Sequence, residues 1–290
     1  MLRSQTRTHL LFLAPSLLLI FVFMVIPALF ALYISFTNMA LTGINALNYR
    51  LIGGRNYIKL LTDENFRHSL WLTLQYTAGT IAGQFVLGLT MALILNRRKV
   101  FGQPLLLALA ILPMVIPAVI QALIWSSMLG AAEFGTLNRI LGLVGLASVA
   151  WTRTLPLTSV LLVNFWNNSG FAMILFLAGL EGIPAEILES ASIDGANGRQ
   201  LLLQIKLPLI RYVILLWLLL NTIGCLNTFD LVYALTTGGP GNATEILGIY
   251  IYNSGFRYSE LGYGSAVAMV LLVISLGIAY IYTRLMRVEL

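Results

Sequence analysis

Between Glu181 and Pro208 the chain reads EGIPAEILESASIDGANGRQLLLQIKLP. The stretch is polar, carries four acids (Glu181, Glu186, Glu189 and Asp194), and separates two long apolar runs. Connections between packed helices are usually about 2–8 residues long, so a segment of this length has structure of its own. Pro184 suits a first helical turn, and Glu186 suits a helix N-terminus. Ile183, Ile187 and Ala191 recur at every fourth position with Leu188 beside them, while Glu186, Glu189 and Ser190 fall largely elsewhere. That spacing predicts a short amphipathic helix. Asp194-Gly195 ends it, because glycine accepts the positive φ of a tight turn. Leu201, Leu202 and Ile205 give a second helical piece, and Pro208 stands where the next apolar run should start its helix. Acids are poor partners for an anionic lipid surface, so the apolar face fits a protein groove better than a membrane.

The flanking runs set the fold class. Of 290 residues, 59% are hydrophobic and 10% charged, against about 25% charged in an ordinary soluble domain. A span needs about 20 apolar residues to cross ~30 Å of hydrocarbon. Six stretches qualify: 10–36, 70–95, 105–129, 157–180, 209–229 and 261–282. None contains an acid, and Arg211, at the edge of the fifth, is their one basic residue. The runs are continuous rather than alternating, which favours helices over a barrel. The expected fold is all-α: a polytopic membrane protein of six transmembrane helices, one domain over residues 1–290, with a loop at 181–208. Pro15, Pro27, Pro113 and Pro117 lie inside spans and predict kinks. Gly79 and Gly83, four apart, predict close helix approach. The first run is too long for a signal-peptide core and reads as a retained span.

With the N-terminus in the cytoplasm, ten Lys and Arg flank the inner side and seven the outer. The dense cluster Arg97-Arg98-Lys99, in a very short loop, agrees with that orientation. Both termini and the 181–208 loop are then cytoplasmic. The formal charge of +6 reads as contact with lipid headgroups; no basic patch with interleaved aromatics suggests nucleic acid. Cys225, the single cysteine, excludes an intramolecular disulfide and a cysteine-based zinc site. His9 and His68 are far apart, and no metal site is expected.

The loop also resembles a specific signature. Glu189-Ser190-Ala191, three residues, Gly195, nine residues, Ile205, one residue and Leu207-Pro208 match the E-A-A loop of permeases of binding-protein-dependent ABC importers. Ser190 in place of alanine is the one departure. The segments FWNNSGFAMILFLAGLEGIPAEILESASIDGA, FDLVYALTTGGPGNATEILGIYIYNSGF and ILPMVIPAVIQALIWSSML are similar to the carbohydrate-uptake members of the maltose and glycerol-phosphate type. The resemblance implies a second homologous permease subunit, two ATPase subunits and an extracytoplasmic solute-binding protein as partners, in a bacterial or archaeal plasma membrane. It implies that the first loop helix seats on the ATPase, with Glu189, Ser190, Ala191, Asp194, Gly195, Ile205 and Pro208 as coupling residues. ATP and magnesium belong to that partner: this chain lacks the G-x-x-x-x-G-K-[ST] loop and is expected to bind no cofactor.

Two spans carry uncharged polar residues at helical spacing. Asn164, Asn167, Asn168 and Phe171 share one face of the fourth, with Trp166 nearby. Asn221, Gly224, Cys225 and Thr228 share one face of the fifth. Such residues face a bundle interior or a water-filled path. Carboxamides beside aromatic faces suit the hydroxyls and apolar ring faces of a sugar or glycan, and the resemblance places a sugar path on these positions. Two further readings stand beside this one: another polar solute such as glycerol phosphate, and an ion-coupled secondary transporter. The lack of intramembrane carboxylates speaks against the second. The same lack, with no H-E-x-x-H or activated serine, speaks against an embedded enzyme. Gly238, Gly239, Pro240 and Gly241 predict turns in an outer loop at 235–245.

Overall fold

The computed structural model describes residues 13–97, 100–131 and 134–287. Arg3, Arg7, His9, Arg98 and Lys99 lie outside the described residues, as do positions 10–12 of the first predicted span. Among the described residues the only β pairing is an isolated bridge, Thr37 to Leu51. Helices carry the fold. In chain order the main ones are α1 (Leu13–Ser35), α2 (Glu64–Leu95), α3 (Gln103–Val115), α4 (Ala118–Met128), α5 (Pro156–Glu181), α6 (Ala185–Ile193), α7 (Gly198–Leu209), α8 (Arg211–Leu226) and α9 (Leu261–Arg287). Four of them, α1, α2, α5 and α9, are long and apolar enough to cross a membrane; the bent pairs α3–α4 and α7–α8 bring the number to six if each is one span.

The described chain divides into two compact units. One holds the residues up to Phe66 together with Tyr250–Val273. In it, Asn56 donates from Nδ2 to the carbonyls of Ser35 (2.8 Å) and Thr37 (2.9 Å), tying down the end of α1. Asp63 caps α2 by accepting the N–H of Asn65 at 2.9 Å and of Phe66 at 3.3 Å, the usual task of an N-cap carboxylate. Its other oxygen accepts the hydroxyls of Tyr250 (2.7 Å) and Tyr263 (2.6 Å). Burial alone would raise the Asp63 carboxyl, but the two tyrosine hydroxyls and the two backbone N–H groups outweigh it and hold it below the ordinary carboxylate value. Lys59 pairs with Glu260 at 2.7 Å and lies 4.2 Å from the Tyr263 ring centroid.

The second unit holds Arg67–Ile249 and the residues from Ile274 on. Its centre is α5, whose closeness to α2 depends on glycine. A Cβ on Gly83 would fall on the Phe165 ring, and one on Gly88 would fall on the Cβ of Ala172. Gly79 likewise faces Leu161. The predicted small-residue pair is thus real and extends one step further. Below this contact, Phe85, Phe176 and Trp217 form an edge-to-face cluster, with Phe176 and Trp217 5.2 Å apart. In hydrocarbon such packing, rather than exclusion of water, holds helices together.

The third predicted span does not kink; it breaks. α3 and α4 meet at 103°. Pro113 is accommodated within α3, and the break falls at Ile116-Pro117. Pro117 offers no N–H, and the residue before a proline is driven out of the helical region; Ile116 has ψ 128°. Gln121, 1% exposed, repairs the damage. Its Nε2 lies 2.8 Å from the Pro113 carbonyl, 2.7 Å from that of Ile116 and 2.9 Å from Asn167 Oδ1. The fifth span also differs from its prediction: helix runs from Gly198 to Leu209, stops at Ile210, and restarts as Arg211–Leu226 after a 67° bend. Pro208 therefore sits before the bend and not at the start of the span. α2 starts six residues earlier than the apolar run, since a helix continues past the hydrocarbon edge. Leu235–Glu245 forms the expected turns: Gly238 has φ +90°, and Thr244 Oγ1 donates to the Gly239 carbonyl at 3.0 Å.

Candidate docking loop and polar slot

The 181–208 loop is two capped helices. Just past the end of α6, Gly195 takes φ +81°, a left-handed conformation that a side chain would strain. Ala196 N–H then reaches back to the Ala191 carbonyl at 3.0 Å, and Gly195 N–H to that of Ser192 at 3.2 Å. These two bonds make the Schellman end of a helix. One residue later Asn197 starts the next helix with a capping box: its side chain accepts the Gln200 N–H at 3.0 Å, and its own N–H donates to Gln200 Oε1 at 2.9 Å. Pro184 precedes α6 as its N-cap, one position earlier than the sequence suggested. Ala191 is the one buried residue of α6, at 8% exposure. Glu189, Ser190, Asp194 and Gly195 are exposed, Ile205 is half-buried and Pro208 exposed. Ile193 is 85% exposed and Ile187 40%, so the loop offers an apolar surface bordered by Glu189 and Asp194. A Cβ on Gly195 would meet nothing within 4 Å; this glycine is needed for its backbone alone.

The residues expected to line a path in the fourth and fifth spans divide into four groups. Asn164, Asn168, Asn221 and Cys225 come together. Asn164, 4% exposed, donates to the Tyr76 hydroxyl and is approached by Asn168 Nδ2 at 3.5 Å. Cys225 Sγ is 3.8 Å from Asn221 Oδ1, and the thiol packs with Leu72, Tyr76 and Val160. Trp166 points elsewhere, stacked edge-on to Trp125 at 5.8 Å. It lies two residues from Asn164, and such pairs do not share a helix face. Phe171 packs on the Phe176–Trp217 core. Gly224 is exposed and Thr228 half-buried, the latter donating to the Gly224 carbonyl at 3.0 Å.

The residue that joins the two spans comes from a third helix. Gln84 of α2, fully buried, donates from Nε2 to the Asn164 carbonyl at 3.0 Å and to Asn164 Oδ1 at 2.5 Å. Its Oε1 accepts from Asn221 Nδ2 at 2.9 Å. Tyr76, Gln84 and Gln121 are thus part of this polar interior, and sequence reasoning passed over all three. A glutamine in an apolar span is itself a signal that a partner waits inside. A polar cavity of about 210 Å³ lined by Asn38, Asn56, Lys59, Glu260 and Tyr263 lies in the other unit and shares no residue with the slot. Among the described residues no group of three or more His, Cys, Asp or Glu could hold a metal ion.

Among the described residues, four to six helical spans around an uncharged polar interior define a polytopic membrane protein. Residues 84–287 match the family of binding-protein-dependent transport system inner membrane components, and the chain belongs to that family. It is 33% identical over 281 residues to the sulfoquinovosyl glycerol transport system permease protein SmoG of Agrobacterium fabrum, covering 96% of this chain and 90% of that one. It is 32% identical over 286 residues to the trehalose/maltose transport system permease protein MalF of Thermococcus litoralis, covering 98% and 95%. In fold it is similar to a chain of a bacterial alginate ABC transporter crystallised with an alginate pentasaccharide-bound periplasmic protein. There the TM-score is 0.82 at 23% identity, over 98% of this chain and 96% of that one. The chain is a transport component of an ABC system and not an enzyme.

Proposed function

We propose that this chain is the permease subunit of an ATP-driven importer for a sugar or glycan, coupled to its motor through the 181–208 loop. The relatives that carry the reading are named for sulfoquinovosyl glycerol, trehalose/maltose and alginate. α6 enters a cleft of a separate ATPase subunit, with Ile187 and Ile193 against apolar wall and Glu189 on a polar partner. Burying what remains exposed of these two side chains, 85% of Ile193 and 40% of Ile187, is worth about 2–4 kcal/mol before the cost of association. A second permease subunit completes the pathway, two ATPase subunits bind ATP and magnesium, and a solute-binding protein delivers the sugar on the opposite side. The chain lies in the plasma membrane as one transmembrane domain with both termini cytoplasmic. Asn168, Asn221, Gly224 and Thr228 border the solute path, with the buried Asn164 and Cys225 behind them and Trp166 and Phe171 set away from it.

The observation that carries the coupling role is the exposed apolar helix α6, fixed at its C-terminus by the Gly195 turn and followed at once by a second capped helix. Gly195→Pro and Glu189→Lys provide the test, in the complex reconstituted with its co-encoded partners. Gly195→Pro cannot hold φ +81° or donate to Ser192, and Glu189→Lys reverses the charge beside the docking face. Both variants should insert normally and lose ATP-driven uptake by about 100-fold or more, as expected when an interface centre is removed. Uptake at the wild-type rate in both would end the coupling reading.

A further inference from the structure

We propose that Gln84 is a positioning residue for solute recognition: it fixes which atom of Asn221 faces the path. The inference rests on the sugar-path reading and names the group that sets its polarity. The argument starts from an atom whose role admits no choice. The Asn164 backbone carbonyl can only accept. It lies 3.0 Å from Gln84, so the Gln84 amide must present nitrogen to it. Asn164 Oδ1, at 2.5 Å, takes the second proton. Both protons of Gln84 Nε2 are then committed, and Oε1 is left for Asn221, 2.9 Å away. Asn221 must answer with Nδ2 and turn Oδ1 the other way.

The chain of donation therefore runs one way, from Asn221 to Gln84 to Asn164 to Tyr76. It starts at a half-buried carboxamide and ends at the fully buried Tyr76. The neighbour of Asn221 Oδ1 is the Cys225 thiol at 3.8 Å, a weak donor, so that oxygen keeps accepting capacity. Asn168 repeats the pattern at the Asn164 end: its Nδ2 points to Asn164 Oδ1 at 3.5 Å, leaving its own oxygen free to accept. Two carboxamide oxygens with accepting capacity to spare suit the hydroxyl protons of a sugar. Had Gln84 the opposite orientation, Asn221 would present N–H and select for acceptors instead. Gly83 makes the geometry possible: without a side chain there, α2 comes close enough for Gln84 to reach α5 backbone.

The experiment measures uptake by the reconstituted complex of radiolabelled glucose, trehalose, maltose and an alginate pentasaccharide, with variants Gln84→Met, Asn221→Ala and the pair. Gln84→Met keeps the shape and loses the orientation. It should raise KM by about three- to ten-fold, the range of one net hydrogen bond, at near-constant kcat. The double variant should show no further rise over Asn221→Ala, because Gln84 acts through Asn221. Gln84→Glu, which when neutral donates once where glutamine donates twice and still accepts from Asn221, should raise KM less than Gln84→Met does. Additive KM effects, or a Gln84→Met variant that lowers kcat alone, would overturn the inference while leaving the sugar reading intact. A wild-type complex that imports none of the four sugars would overturn the sugar reading, and this inference with it.

Discussion

Replacing Gln121 with leucine tests whether one side chain holds the broken third span together. The substitution removes the donor that lies within 2.9 Å of the Pro113 and Ile116 carbonyls and of Asn167 Oδ1. Two protons serve these three acceptors. An orphaned buried carbonyl costs about 1–3 kcal/mol, whereas interhelical side-chain bonds in membranes average only about 0.6 kcal/mol. The Pro113 carbonyl still accepts the Ile116 N–H at 3.2 Å, so the Ile116 carbonyl dominates at about 2 kcal/mol, and the Asn167 contact adds little. One effect runs the other way: Gln121 Oε1 has no hydrogen-bond partner among the described residues, so its removal returns about 1 kcal/mol. The net loss is about 1 kcal/mol, or a fall in melting temperature of about 2–4 °C for a chain of this size. The protein carries its own reporter. Cys225 is the single cysteine and is 4% exposed, so a maleimide dye should label it only on unfolding. Gln75→Leu is the control, since Gln75 is exposed on α2. If Gln121→Leu melts within about 1 °C of wild type, the carbonyls are satisfied in some other way and the reasoning fails.

Two more predictions concern packing and pH. Gly170→Val should lower the yield of folded permease and its melting temperature more than Gln121→Leu does, because a Cβ on Gly170 collides with the Ala110 carbonyl of α3; overpacking costs about 1–3 kcal/mol even before the added methyls. Asp63 has a lowered pKa in the folded state, so its contribution is fully present above the unfolded value of about 3.9 and is lost as pH falls through the folded value. Far-UV circular dichroism melts from pH 7 downward should be flat with respect to Asp63 until about pH 4 and then fall; Asp63→Asn should lose stability at neutral pH and flatten that acid limb. An unchanged acid limb in Asp63→Asn would remove Asp63 from the account.

Much of the fold was legible because hydrocarbon imposes one rule. An uninterrupted apolar run must be helix, and the fourth span, read as 157–180, is found as Pro156–Glu181. The loop was legible because its punctuation is local: Gly195 and Asn197 each act on backbone groups within five residues. The break at Ile116 was not. A proline in a span predicts distortion, but whether the helix bends or turns through 103° depends on a donor such as Gln121 reaching the freed carbonyls. The slot was legible in part for the same reason. Asn164 and Asn221 announce a polar face, yet α2 carries both Gln75 and Gln84. They stand nine residues apart, half a turn around the helix, and only packing tells that Gln84 is the inward one.

The restart of the chain at Ile210 has a mechanical meaning. From Glu189 to Lys206 the backbone is held by the Gly195 end bonds, the Asn197 box and unbroken helix. That stretch is two helices joined by a hydrogen-bonded turn. At Ile210 the helix turns through 67°, and the isoleucine is wedged, 2% exposed, against the α5 core, where a Cβ on Gly179 would come within 3.3 Å of it. Under the proposed docking of α6, a push on the loop would reach α5 and α8 together through Ile210.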